Sequence, residues 1–250
     1  MSHDDHHAVT IPAPGPEFVA HEVAHHFNSP VQEFQAGKLG FWLFLATEIL
    51  LFGGLFAAYF YFHEVYPETF RVGGQQLDWR LGALNTSVLL LSSWTMAMGV
   101  RSAQTSQRKK TIIYLVLTVI GAAGFMVIKF IEYRAKNEHG LVVFSELFDG
   151  YEFFVIDNVT YGEVSWFKDY DNVMAGLPHG HMFFAIYLTM TAIHGLHVII
   201  GAVAILYVLY GTIKGRYHAG YYLPVELVGL YWHLVDLIWI FLFPLLYLVP

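Results

Sequence analysis

Five long apolar stretches decide what this chain can fold into: 39–62, 81–100, 111–130, 181–210 and 223–249. Each can cross a bilayer, which takes about 20 residues of helix. A single stretch in hydrocarbon satisfies its backbone polar groups only as a helix. The expected fold is therefore all-α, a polytopic membrane helix bundle with five transmembrane helices. The fourth stretch, at about 1.5 Å per residue, reaches about 45 Å and should tilt or protrude. Composition agrees with this class: 56 % of residues are hydrophobic and 13 % charged, against about 25 % charged in ordinary domains. With no cysteine in the chain, disulfides, iron–sulfur clusters, cysteine-anchored haem and thiolate copper are ruled out.

The loops suggest a direction. Residues 101–110 hold Arg101, Arg108, Lys109 and Lys110 with no acid, and 211–222 hold Lys214 and Arg216 with no acid. The other two loops, 63–80 and 133–180, lean acidic. Short basic loops stay cytoplasmic, so the N-terminus is expected in the cytoplasm and the C-terminus on the outer face. Residues 1–38 form a polar, His-rich cytoplasmic tail that lacks the basic start and apolar core of a secretory signal. Within it, 17–27 could form a short surface helix with Phe18, Val23 and Phe27 at the wet–dry boundary. The five-span domain, 39–250, carries an unusually long outer-face insertion at 133–180. Its apolar clusters (LVVF at 141–144, FFVI at 153–156, VSWF at 164–167) alternate with turn signals, which suggests a small hairpin or docking flap. The acceptor pattern Asn158-Val-Thr160 is read as chance.

Ionisable groups inside the spans are few, and each is a functional candidate. They are Glu48, Lys129, Glu132, His194, His197, Glu226, His233 and Asp236. Glu48 stands in the middle of FWLFLATEILLFGGLF. Three roles are open to it: a proton-relay member, a structural hydrogen bond to another helix, or an anchor for a lipid headgroup or water. Relay chemistry wants successive acids, and only Glu226 or Asp236, at other depths, could follow it. His194 and His197, three apart, share a helix face. With His233 they could hold a metal, and His181 with His194 has the spacing of a haem-stacking helix, but no second helix supplies the facing pair. The simpler reading is that the rings bond to acids on neighbouring helices, and no metal site is expected. Glu226, His233 and Asp236 fall at offsets of seven and three, one broad inward stripe, and Gly229 would let a neighbouring helix approach.

Four strings carry a family resemblance: GFWLFLATEILLF at 40–52, LNTSVLLLSS at 84–93, HGLHVIIG at 194–201 and YWHLVDLIWIFLF at 231–243. With the weaker FIEY at 130–133, the chain resembles subunit III of the haem–copper terminal oxidases, the cytochrome c oxidase type, from Lys38 to its end. The resemblance implies an accessory subunit with no catalytic residue and no haem or copper of its own, those groups lying in partner subunits. It implies packing on subunit I, contact with subunit II, bound phospholipid, and support of proton uptake and stable turnover in aerobic respiration. Seven-span members have a V-shaped cleft between their first two helices and the other five. This chain is similar to the last five, a short form placed in a bacterial inner (plasma) membrane, so another subunit or lipid would supply the missing wall. By the same match Glu48 is the cleft-facing acid, His194 and His197 are the HGLH pair, and His233 and Asp236 are the closing helix's polar pair. Where the family has an arginine for a lipid phosphate, Lys214 or Arg216 would substitute. The insertion 133–180 is expected to dock subunit II or an electron-donating complex. No nucleic-acid partner is expected. Two alternatives are subunit III of a quinol oxidase or the related nitric oxide reductase accessory protein. A more distant one is a small proton-coupled transporter, disfavoured because no halves repeat and no span is broken at its middle.

Overall fold

The computed structural model describes residues 29–138 and 181–248. They form six helices: α1 (Pro30–Val65), α2 (Pro67–Gln75), α3 (Trp79–Gln104), α4 (Arg108–Glu138), α5 (His181–Ile213) and α6 (Leu223–Tyr247). All but α2 are long and apolar enough to cross a membrane, so the five expected spans are present.

The ends differ from the sequence reading for local reasons. Ser29 caps α1 by accepting the Gln32 backbone N–H, Pro30 occupies the first turn, and Glu33 sits there favourably against the helix dipole. Helix therefore starts inside the expected tail 1–38. At the other boundary α4 runs on to Glu138, inside the expected insertion 133–180. The short helix α2 was not anticipated; Pro67 starts it, and Thr69, Phe70, Gly73 and Gly74 are its buried face. The suggested surface helix at 17–27, the flap clusters and Asn158 lie outside the described residues.

Four helices form a square in which α3 neighbours α4 and α6, and α5 neighbours the same two. Polar side chains pin the seams, as is usual where lipid gives apolar contacts little advantage. Between α3 and α4, the Thr95 and Thr118 hydroxyls are 2.8 Å apart. Between α3 and α6, Trp232 Nε1 donates to Ser92 Oγ at 3.2 Å and Trp239 Nε1 to Thr86 Oγ1 at 3.0 Å. Gly229 has the expected role: a Cβ there would lie 2.8 Å from Val100 of α3.

The two basic turns meet at one end. The chain reverses at Ser106 and Gly215, both with positive φ. Arg108 donates to the Thr212 carbonyl at 3.1 Å and also to the Ile213 carbonyl, so its cation sits against the carbonyls ending α5. Ser106 Oγ accepts the Ala219 backbone N–H at 2.9 Å. Both basic loops thus share a side of the bundle, as their charge suggested.

Helix α1 stands outside the square, against α5 and α6. Only 11 % of its most apolar window is buried, against 44 % for α6. Leu45, Phe52 and Tyr59 make its narrow inward stripe. Three polar ties are spread along it: Lys38 to Glu226, Glu48 to His197, and Tyr59 to the Leu245 carbonyl. At its far end α2 packs back on α5, with Phe70 edge-on to Phe183 at 5.4 Å. A Cβ on Gly73 would lie 2.3 Å from Phe183 Cδ1. Gly73→Ala should therefore lower stability by about 1–3 kcal/mol in thermal unfolding in mild detergent. Gly40→Ala, with nothing within 4 Å, is the control expected to be silent.

Candidate functional site

Glu48 is paired. Its Oε2 lies 2.7 Å from Nε2 of His197, joining α1 to α5. The other imidazole nitrogen, Nδ1, lies 2.7 Å from the Ile193 carbonyl, one turn back on α5. A carbonyl only accepts, so Nδ1 must carry its hydrogen. The contact with Glu48 therefore always holds one proton, as imidazolium with carboxylate or as neutral imidazole with carboxylic acid. Both forms are neutral as a pair, which is how an acid can sit at this depth without a net buried charge. The Glu48 and His197 side chains are 15 % and 12 % exposed, so the pair lies near the edge of the bundle. Phe52 stands edge-on to the His197 ring at 5.2 Å, and the Tyr231 hydroxyl donates to the His197 carbonyl. Of the roles the sequence left open, a hydrogen bond to another helix is the one present.

His194 has a different fate, and the expectation that both rings meet acids is corrected. Three residues is about 300° of helix, so the rings diverge by roughly 60°. His197 turns to α1, while His194 turns into the square and is fully buried. Trp239 lies 5.1 Å from it, Phe125 5.5 Å and Phe52 6.5 Å, between ring centroids. Neither of its ring nitrogens has a hydrogen-bond partner among the described residues. His194, His197 and His233 do not converge, and no group of three metal-ligating side chains occurs among the described residues.

The expected single stripe on α6 is also corrected: it divides. Glu226 turns to α1, its Oε1 2.6 Å from Lys38 Nζ, which also lies 4.5 Å over the Phe34 ring. His233 turns to α3, its Nδ1 2.7 Å from Ser93 Oγ. Asp236 is 2 % exposed, with the Ser93 hydroxyl beside it. Glu226 and His233 are only about 20° apart in angle but about 10 Å apart along the axis, so they meet different neighbours at different depths. Lys214 and Arg216 are exposed beyond α5, Lys214 over the Tyr210 ring at 5.5 Å. They stay available to an anion.

A second polar centre was visible only in part from sequence. Lys129 and Glu132 of α4 form an ion pair at 2.8 Å, 6 % and 3 % exposed. Lys129 Nζ also donates to the Tyr247 hydroxyl at 2.7 Å, and Tyr247 and Tyr187 donate to Glu132 Oε1 at 2.6 and 3.1 Å. The cation sits 4.5 Å over the Trp239 ring. One charge pair thus draws together α4, α5 and α6. The Lys-x-x-Glu spacing was the available signal; the two tyrosines come from other helices and had none.

Comparison with known proteins bears on this arrangement. A family model described as cytochrome c oxidase subunit III matches residues 19–158 and 169–249. Cytochrome c oxidase subunit 3 of Thermostichus vulcanus is 30 % identical over 216 residues, 84 % of this chain and 86 % of that protein. The protein of the same name from Prototheca wickerhamii is 29 % identical over 230 residues, 89 % of this chain and 72 % of the other. A heme-copper oxidase subunit I+III of Aeropyrum pernix is 26 % identical over 217 residues, 83 % of this chain and 22 % of that protein.

Proposed function

Because the chain belongs to the cytochrome c oxidase subunit III family, we propose that it is the non-catalytic third subunit of a haem–copper oxidase, steadying a partner that carries haem and copper. It associates with subunit I, as the I+III relative supports, and lies in a bacterial inner membrane with its N-terminus cytoplasmic. Both basic turns lying at one end of the bundle support that direction. The insertion 133–180 is assigned to an outer-face partner, subunit II or an electron donor, and Lys214 and Arg216 to a phospholipid phosphate.

The observation that carries the functional reading is the Glu48–His197 pair. It is a one-proton contact near the edge of the bundle, and it ties the loosest span to the square. We assign it to the wall of a lipid-lined cleft, where it keeps α1 seated during turnover.

Purification in mild detergent tests the assignment. The chain should travel with haem-bearing polypeptides and, once separated, show no haem absorbance; a haem spectrum in the isolated chain overturns it. A second measurement tests the pair. Glu48→Ala and His197→Ala should each leave the complex assembled, yet reduce its retained phospholipid or shorten its active life during turnover. The double variant should be no worse than either single one, because each removes the same contact. Wild-type phospholipid content and ageing in both single variants would reduce the pair to packing.

A further inference from the structure

We propose that the outer α3–α6 seam around His233 is the face that docks a transmembrane helix of subunit I, one presenting a hydrogen-bonding side chain at mid-bilayer. The inference rests on the oxidase-subunit reading above.

His233 lies near the middle of α6, and Ser93, its partner through Nδ1, near the middle of α3. The imidazole is only partly covered, and Nε2 has no hydrogen-bond partner among the described residues. Behind it the Asp236 carboxyl is buried, and the Ser93 hydroxyl that meets His233 lies beside it. In hydrocarbon such a set is costly. In a bundle it is the kind of group that hydrogen-bonds across to another helix.

Around it the surface is apolar: Leu90 and Leu237 are each 50 % exposed and Ile240 42 %. No other helix among the described residues covers it. Helix α4 lies on the opposite flank of α3, where Thr95 meets Thr118. Helix α1 reaches α6 through Tyr231 and Leu245. Among the described residues the remaining outward faces lack such a group. On α1 the outward residues include Leu43 and Leu50, on α4 Ile113, Ile120 and Val127. Glu48 and His197 bond to each other. Among the described mid-span residues, His233 alone brings an ionisable side chain to the surface with a ring nitrogen not hydrogen-bonded. A relative named as subunit I+III joins the two subunits in one polypeptide, which favours subunit I as the occupant, and the polar notch selects the face.

The chain has no cysteine, so one introduced thiol is unique in it. Leu237→Cys, labelled with a benzophenone maleimide and irradiated in the intact detergent-solubilised complex, should cross-link to the haem-bearing subunit I. The same probe on Ile120→Cys, on the outer face of α4, should label lipid or detergent. His233→Leu should dissociate from the complex about tenfold faster, a loss of about 1.4 kcal/mol, while the separated chain keeps its helical content. Adducts from Leu237→Cys only with lipid, with another subunit, or with residues 139–180 of this chain overturn the docking face, as does an unchanged dissociation rate in His233→Leu. A chain that never co-purifies with haem overturns the functional reading as well, so the two failures are distinguishable.

Discussion

Lys129→Met should lower the unfolding free energy of the chain by about 3–5 kcal/mol, because removing one partner of a buried ion pair strands the other. The Glu132 carboxylate would keep its phenol donors, Tyr187 and Tyr247, and lose the only cation that pairs with it among the described residues. Glu132→Gln should cost a similar amount in the opposite sense, leaving an ammonium group over Trp239 with no countercharge. Lys129→Met combined with Glu132→Leu should recover most of the loss, since an apolar replacement of both charges is often neutral. What stays lost is about 1 kcal/mol for each phenol bond that no longer has an acceptor. Equilibrium unfolding in mixed detergent, read as a double-mutant cycle, measures this. Single variants that each cost under about 1 kcal/mol would mean that the pair is not closed to solvent.

Trp239→Ala should cost about 3 kcal/mol, the low end for removing a buried large aromatic, because the separated helices remain in lipid. Its indole meets Phe125 of α4 and His194 of α5, lies beneath the Lys129 cation, and donates to Thr86 of α3. Trp239→Phe keeps most of that packing and should cost about 1 kcal/mol, the value of one hydrogen bond; Thr86 still donates to the Gly82 carbonyl. The Ala variant has a chemical signature too. It uncovers His194, so diethyl pyrocarbonate should modify that ring in Trp239→Ala and leave it untouched in the parent. Thermal unfolding of both variants ranks the two effects, and equal losses would show that the hydrogen bond, rather than ring packing, matters.

The spans were legible because hydropathy over about 20 residues needs no partner to be read. Their ends were less so. The Ser29–Pro30 start is a local capping signal lying outside the apolar window that located the span. The short helix α2 carries adjacent glycines, poor helix formers, and is held by Phe70 and Gly73 against α5. Polar residues were easy to find and hard to pair. Glu48 and His197 are separated by 149 positions, and no periodicity carries that information. In the HGLH stretch the spacing said one face, but 60° of difference sent one ring to an acid and the other into an aromatic enclosure. The α6 stripe failed likewise: its width was read correctly, and the number of neighbours sharing it was not. Lys129 and Glu132 could be paired from their spacing alone, whereas the tyrosines that complete their cluster could not.

The position of α1 outside the square has a consequence for biogenesis. Of the described spans, the one made first is the one that docks last, since its ties reach α5 and α6. Translation at about 5–20 residues per second separates Glu48 from His197 by about 7–30 s. Through that interval the acid crosses the bilayer without its histidine, a state worth about 2.5–3.5 kcal/mol on insertion scales. Its neighbours in the finished protein, at His197, Glu226 and Leu245, have not yet been synthesised. Arrival of the HGLH helix therefore acts as an assembly checkpoint: until it inserts, the acid of α1 has no histidine to pair with, and an early truncation should leave that span undocked and open to the membrane's quality-control proteases.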